Sequence, residues 1–385
     1  MSNKIFIFGC WNKNSCLDGD IINGRSEVIN LLSNEPNDYD MGILLGDNIY
    51  PLKQKIQRGH KKKSVKGLSV SNGLSVSKGL SVSKGLSVSK GLSVVKKNTK
   101  KNNTKKIKTF LKESQDYYNS IINLSNELTV NSANIANLHV ILGNHDIEKK
   151  CVLQNQILSF TTPTSIIYTK NTIVEIDNAV FLMINTNEIN NMIEFIKDFD
   201  ISIMNGRWLI ICGHDPIFSY KPKPKKGKLF QKIDKTKELF EAIYNLNYKK
   251  MAYICADTHN FQLLEVGDYS DEFGFYLPVI VVGTGGANPD SLKNIDENLN
   301  YYDEQSDLQL TLINYEEPFG FLELIITEEQ LLLNYKKCGS VNNSIIRFQK
   351  EKELLTYTIN YTNSLCKLPT PRCLKDDETV QLEIC

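Results

Sequence analysis

Four short polar segments in this chain hold the residue types that bind metal ions, and each directly follows an apolar run. They are Gly46-Asp47-Asn48, Gly143-Asn144-His145-Asp146, Gly213-His214-Asp215 and Ala256-Asp257-Thr258-His259. Four of the five histidines are His139, His145, His214 and His259, and three of those lie in these segments. Asp, Asn and His together make a mixed oxygen and imidazole donor set, which suits zinc, manganese or iron better than a soft thiolate-only site would. A single Gly-Asp or Gly-His after a strand is an ordinary turn. The argument rests on the joint order of the four.

The elements that must position these segments alternate between short apolar runs and longer amphipathic stretches. Strands are predicted at 4–8, 41–45, 138–142, 173–176, 180–185, 208–212, 252–255, 262–266, 277–282 and 320–326. Helices are predicted at 24–32, 107–128, 188–198 and 234–246. This alternation implies an α/β fold with helices covering the sheets. Loops at the carboxyl ends of strands are where such folds gather their chemistry.

The series Gly46-Asp47-Asn48-Ile49-Tyr50, Gly143-Asn144-His145-Asp146, Gly213-His214-Asp215-Pro216 and Asp257-Thr258-His259-Asn260 resembles the calcineurin-like metallophosphoesterases. The tyrosine makes it similar to their purple acid phosphatase branch, and motif order agrees over residues 4–335. The resemblance implies a four-layer αββα sandwich holding two metal ions, drawn from iron, zinc and manganese. It implies that Asp47 bridges the ions, that Tyr50 and His259 bind the first, and that Asn144 and His214 bind the second. His145 would hydrogen-bond the substrate or protonate the leaving group, with Asp146 orienting it. Two cations about 3.5 to 4 Å apart hold a phosphate, acidify a water and stabilise both oxygens of an in-line displacement.

Two positions depart from the family pattern. Where the family's first motif has Asp, this chain reads Gly9-Cys10-Trp11-Asn12, and Asp257 stands for the first histidine of the last motif. Cys10 as thiolate and Asp257 as carboxylate are themselves metal ligands, so the site is expected to be altered and not lost. The expected activity is hydrolysis of a phosphomonoester, or of a phosphodiester, by a metal-activated water without a phosphoenzyme. The substrate would be a phosphorylated small molecule or a phosphoprotein. The alternative is a catalytically inactive phosphoesterase fold that serves as a binding module for an anionic partner.

With 385 residues and 41% apolar content the chain can bury one large core. The domain is placed at 1–345, interrupted by an insertion at 53–112 and followed by an extension at 346–385. A net charge of +1 hides an asymmetry: residues 53–112 hold 18 Lys or Arg and no Asp or Glu, leaving about −17 on the rest. Within the insertion, Lys-Gly-Leu-Ser-Val-Ser recurs with a period of six from Lys66 to Lys90, Asn72 once replacing the lysine. Such a composition predicts a solvated low-complexity excursion, for which nucleic acid is a weak, non-specific partner. No signal-peptide pattern and no apolar run of about 18 residues occurs, so an intracellular protein without membrane contact is expected. The nine scattered cysteines agree with a reducing compartment.

The remaining features have plain readings. Gly283-Thr284-Gly285-Gly286 lacks the Lys-Ser/Thr of a phosphate-binding loop and reads as a structural turn. Lys221-Pro222-Lys223-Pro224-Lys225-Lys226 reads as a solvated loop, although its place after His214 would put positive charge near an anionic substrate. Trp11 and Tyr220 either wall a pocket or pack in the core. Residues 321–335 read as a hairpin completing the second sheet, and beyond Ile345 no periodicity is evident.

Overall fold

The computed structural model describes residues 2–11, 15–17, 20–22, 24–35, 39–48, 137–147, 166–168, 170–223, 228–268, 275–291, 300–339, 344–351 and 354–361. The chain divides into two compact units, one of Met1–Tyr50 with Tyr117–Cys385 and one of Pro51–Asp116, the latter wholly outside the described residues. Also outside them lie the predicted helix at 107–128, the insertion at 53–112 and the residues beyond Tyr361.

Two eight-stranded sheets make up the first unit. Sheet one contains β1 (Asn3–Phe8), β4 (Met41–Leu44), β5 (Asn137–Val140), β6 (Ile166–Tyr168), β17 (Gly320–Ile326), β18 (Gln330–Lys337), β19 (Ser344–Glu351) and β20 (Leu354–Tyr361), in the order β20-β19-β18-β17-β1-β4-β5-β6. Sheet two contains β7 (Thr172–Ile176), β8 (Ala179–Met183), β9 (Trp208–Cys212), β12 (Met251–Cys255), β13 (Phe261–Asp268), β14 (Tyr276–Val282), β15 (Asn300–Asp303) and β16 (Leu308–Glu316), in the order β15-β16-β13-β14-β12-β9-β8-β7. Two small ribbons pair β2 (Ser15–Leu17) with β3 (Asp20–Ile22) and β10 (Phe218–Lys223) with β11 (Lys228–Lys232). The helices are α1 (Gly24–Asn34), the single turn α2 (Asn144–Ile147), α3 (Ile189–Lys197) and α4 (Thr236–Tyr244).

Burial explains why the central strands are continuous apolar runs. Every residue of β4, β8, β9 and β12 is buried, as expected of parallel strands covered on both faces. One face of sheet two, including Val180, Leu182, Leu209, Ile211 and Tyr253, packs against Met192, Ile193 and Ile196 of α3 and Leu239, Phe240 and Ile243 of α4. Those helix residues recur at i, i+1 and i+4, which makes one apolar stripe per helix. Residues of alternate parity point the other way, toward sheet one. There Phe261 stacks on Tyr335 at 4.3 Å between ring centroids, and the Trp208 indole donates to the Thr327 carbonyl across the sandwich. Helix α1 buries Val28, Ile29 and Leu32 and packs on β17. The result is the four-layer αββα sandwich.

Several details differ from the sequence reading, among them the following. The 321–335 hairpin belongs to sheet one, because β17 pairs antiparallel with β1. Strand β16 was not anticipated, although Leu308, Leu310 and Leu312 alternate with polar residues and are buried. Strands β19 and β20 extend sheet one beyond Ile345. Residues 221–223 lie in β10 and not in a loop. Among the described residues no helix is long and apolar enough to cross a membrane.

Candidate metal centre

Strands β1, β4 and β5 run parallel to one another, as do β9, β12 and β14, so each sheet gathers a set of carboxyl ends at one edge. Backbone bonds tie the loops that leave these ends together. The Cys10 amide donates to Gly46 O at 3.0 Å, the Ala256 amide to His214 O at 2.9 Å, and the Gly9 amide to Val282 O at 2.9 Å across the two sheets. Cys10, Asp47 and Asp257 all have left-handed backbones, with φ of 54°, 52° and 52°. Each chain therefore reverses abruptly just past its strand and swings its side chain into the space between the loops. An aspartate tolerates this conformation, whereas a cysteine there carries a strain of order 1 kcal/mol. Gly143 is obligatory, since a Cβ on it would sit 2.3 Å from the Asp47 amide nitrogen and 2.4 Å from Asp47 Oδ1.

The side chains converge on Asp47. Its Oδ1 lies 3.2 Å from His214 Nε2 and accepts the His145 amide at 3.1 Å, while its Oδ2 lies 3.8 Å from His145 Nε2. Asp257 Oδ1 lies 3.7 Å from His214 Nε2 and accepts from Asn144 Nδ2 at 3.3 Å. His214 Nδ1 donates to the Leu45 carbonyl at 2.7 Å, which fixes the ring and turns Nε2 inward. His259 is held likewise by the Asn288 carbonyl at 2.9 Å from its Nδ1. Two triads of ligand atoms share Asp47: Cys10 with Asp47 and His259, and Asp47 with His214 and Asp257, each within 4.8 Å of one another.

These groups fit a cation. Asp47 and His214 are 1% and 0% exposed, yet Asp47 Oδ2 and His214 Nε2 make no hydrogen bond. A sealed atom left without a partner costs about 1 to 3 kcal/mol, which the 3.2 Å ion-pair contact of His214 Nε2 with Asp47 Oδ1 offsets only in part. A metal ion relieves both at once, and carboxylate with imidazole is the donor chemistry that first-row metals take.

Electrostatics point the same way. Burial pushes the Asp47 carboxyl up, but the charge of His214, the contact with that ring and His145 outweigh it and hold Asp47 at about 2. Burial opposes protonation of His214, and the charges of Asp47, Asp215 and Asp257 overcome it, raising the ring to about 10. The pocket thus holds positive charge at Nε2, as a proton or as a cation. Burial and the Lys221 charge push His259 down against the pull of Asp290, which keeps its imidazole neutral and able to donate a lone pair.

The residues singled out in the sequence fall as follows. Cys10, Asp47, Asn144, His145, His214, Asp257 and His259 meet at one place, and Tyr50 lies outside the described residues. Asp146 Oδ2 accepts the Gly143 amide at 2.7 Å, the Asn48 amide at 3.3 Å and Asn48 Nδ2 at 3.0 Å, tying the segment of Asp47 and Asn48 to that of Gly143 to Asp146. Trp11 is fully buried and donates to Asn48 Oδ1 at 2.9 Å, and Tyr220 is 2% exposed, so both belong to the packed support. The glycine loop after β14 is a turn laid on the first loop, with the Gly285 amide donating to Gly9 O and the Ala287 amide to Cys10 O.

Sequence reasoning set aside Lys221 and overlooked Asp290. Lys221 Nζ donates to Asp257 Oδ2 and to the Asp257 carbonyl, each at 3.1 Å, and lies 3.9 Å from Asp290 Oδ2. Asp290 Oδ2 in turn accepts the His259 amide at 3.0 Å. The one available signal was the position of Lys221, seven residues past His214, on a chain returning to the same edge.

No protein-family model matches the chain, and no curated protein sequence is similar to it. The solved structure of PhoD superposes on it with a TM-score of 0.51 at 10% identity, covering 92% of this chain and 71% of that one. The shared feature is the fold. The αββα sandwich of this chain is thus a fold that PhoD shares, and its cluster of Asp and His residues has the spacing of a metal-ion site.

Proposed function

We propose that the protein is a metal-dependent phosphoesterase that hydrolyses phosphomonoesters, on a phosphorylated small molecule or a phosphoprotein. The observation that carries this reading is the buried cluster of Asp47, His214 and Asp257, with ligand atoms within 4.8 Å of one another, at the strand ends of a sandwich whose fold PhoD shares. A cation held by Asp47, His214, Asp257 and Asn144 would draw charge from phosphoryl oxygens and lower the pKa of a water. Iron, zinc and manganese suit the donor set, and Cys10 as a ligand favours zinc or iron.

The chain's own side chains supply the rest. His145 is 34% exposed, unlike the sealed His214, so it meets solvent and substrate while its Nε2 stays near Asp47. That position suits donation of a hydrogen bond to a phosphoryl oxygen and of a proton to the leaving group. Asp146, through Gly143 and Asn48, keeps the loops of Asp47 and His145 in register. The ligands lie on short loops just past the strand ends, and backbone hydrogen bonds tie those loops to one another.

Phosphate release from p-nitrophenyl phosphate tests the reading, with protein stripped by chelator and reloaded with zinc, iron or manganese over a range of pH. Release that returns on reloading and is absent in Asp47→Ala supports it; release no faster than a metal-free control under every condition refutes it. The Lys221–Asp257 ion pair favours a second reading, a non-catalytic module for an anionic partner, since it partly satisfies the site's charge without an ion. In that case binding of a polyanion is salt-sensitive and disappears when residues 53–112 are deleted.

A further inference from the structure

The resemblance implies two cations, but the ammonium of Lys221 already occupies the neighbourhood of one of them. The Lys221 side chain is 16% exposed, and its Nζ holds Asp257 Oδ2 at 3.1 Å and lies 3.9 Å from Asp290 Oδ2, which also accepts the His259 amide. It therefore stands on the side of the centre that carries His259, a member of the Cys10–Asp47–His259 triad. The two oxygens of Asp257 face different partners: Oδ1 looks to His214 and Asn144, and Oδ2 to Lys221.

We infer that Lys221 takes the place of the second metal ion: the centre binds one cation, on Asp47, His214 and Asp257, and the lysine ammonium supplies the other positive charge. This rests on reading the site as a metal centre for phosphoester hydrolysis. Geometry supports it. The ammonium already engages Asp257 Oδ2 and Asp290 Oδ2, and a second dication placed beside it would meet a like charge in a buried pocket, where such repulsion is expensive. The same reasoning accounts for one departure from the family pattern: a carboxylate at 257, in place of a neutral imidazole, gives the ammonium its partner. A phosphate group bound at this centre would meet a metal on one side and the ammonium on the other. Lysine acts there as a compact point charge whose stem reaches in from β10.

Equilibrium dialysis of the full chain against Mn2+, with elemental mass spectrometry and electron paramagnetic resonance of the bound ion, tests this. Wild type is expected to take up one ion per chain with the spectrum of an isolated Mn2+, and Lys221→Met two ions with an exchange-coupled spectrum. Lys221→Arg keeps the charge and is expected to stay at one. Should Lys221→Met fail to fold, Lys221→Gln serves, with circular dichroism as the check. Two ions in wild type overturn the inference and leave the phosphoesterase reading intact. One ion in wild type and in the folded Met and Gln variants removes Lys221 as the cause and overturns it too. No ion in any of the proteins contradicts the metal reading itself, and the inference falls with it.

Discussion

His139 offers a prediction whose size follows from the structure. It sits in β5, 3% exposed, with Nδ1 sealed from water and without a hydrogen bond. Burial alone lowers its pKa from 6.5 to about 4, with no charged neighbour contributing. The folded state thus holds the ring neutral through a range in which the unfolded chain binds a proton. The stability from the neutral form is fully present above pH 6.5, is lost progressively as pH falls toward 4, and changes no further below that. A difference of about 2.5 pKa units corresponds to about 3 kcal/mol at 1.36 kcal/mol per unit. His139→Leu removes the titration while keeping an apolar side chain in the strand. Urea unfolding of both proteins at steps between pH 7 and pH 4 isolates the effect, because groups titrating in both cancel in the difference. The gap is expected to move by about 3 kcal/mol in favour of the leucine variant across that window. Parallel pH profiles for the two proteins would refute the reasoning and mean that the ring finds a partner or water when protonated.

Other expectations concern the site. Gly143→Ala forces a Cβ into Asp47 and should weaken metal binding roughly 10- to 100-fold, the usual size for disturbing a ligand's support; titration calorimetry showing unaltered affinity would count against Asp47 as a ligand. Asp146→Ala strips three donors of their acceptor and should lower unfolding free energy by about 3 kcal/mol. An unchanged urea midpoint would deny it the role of tying the loops together. Trp11→Phe keeps the packing but leaves Asn48 Oδ1 without its indole donor, for a loss of about 1 kcal/mol by the same assay; no loss at all would mean that Asn48 re-pairs.

The parts of the fold that the sequence disclosed are those where local pattern and tertiary setting agree. Met41 to Leu44 and Trp208 to Cys212 are apolar throughout because they lie in the middle of covered sheets, so composition alone marks them. Asp47, His214 and Asp257 were visible because ligand-type residues follow several such runs in one joint order, although each taken singly reads as a turn. Lys221 was hidden for the opposite reason. It opens a run of Lys and Pro whose composition suggests solvent, and only the return of β10 to the edge bearing Asp257 reveals a buried ammonium. Asp290 is an ordinary loop aspartate until His259 and Lys221 are set beside it. Strands β19 and β20 lie at the margin of sheet one, where pairing of β19 with β18 and of β20 with β19 defines the strands more than side-chain pattern does. Their mixed polar sequence carries little signal. The hairpin of β17 and β18 was legible as an element but its sheet was not, since the choice depends on pairing with β1 more than 300 residues away.

Metal content bears most directly on the central claim. The protein, purified without chelator and reloaded with zinc, iron or manganese, is compared by elemental mass spectrometry with Asp47→Ala and His214→Ala. The account predicts stably bound metal in wild type and its loss from both variants while their circular dichroism stays that of the folded chain. Wild type that binds no metal under any of these conditions, or variants that retain the wild-type content, would contradict it.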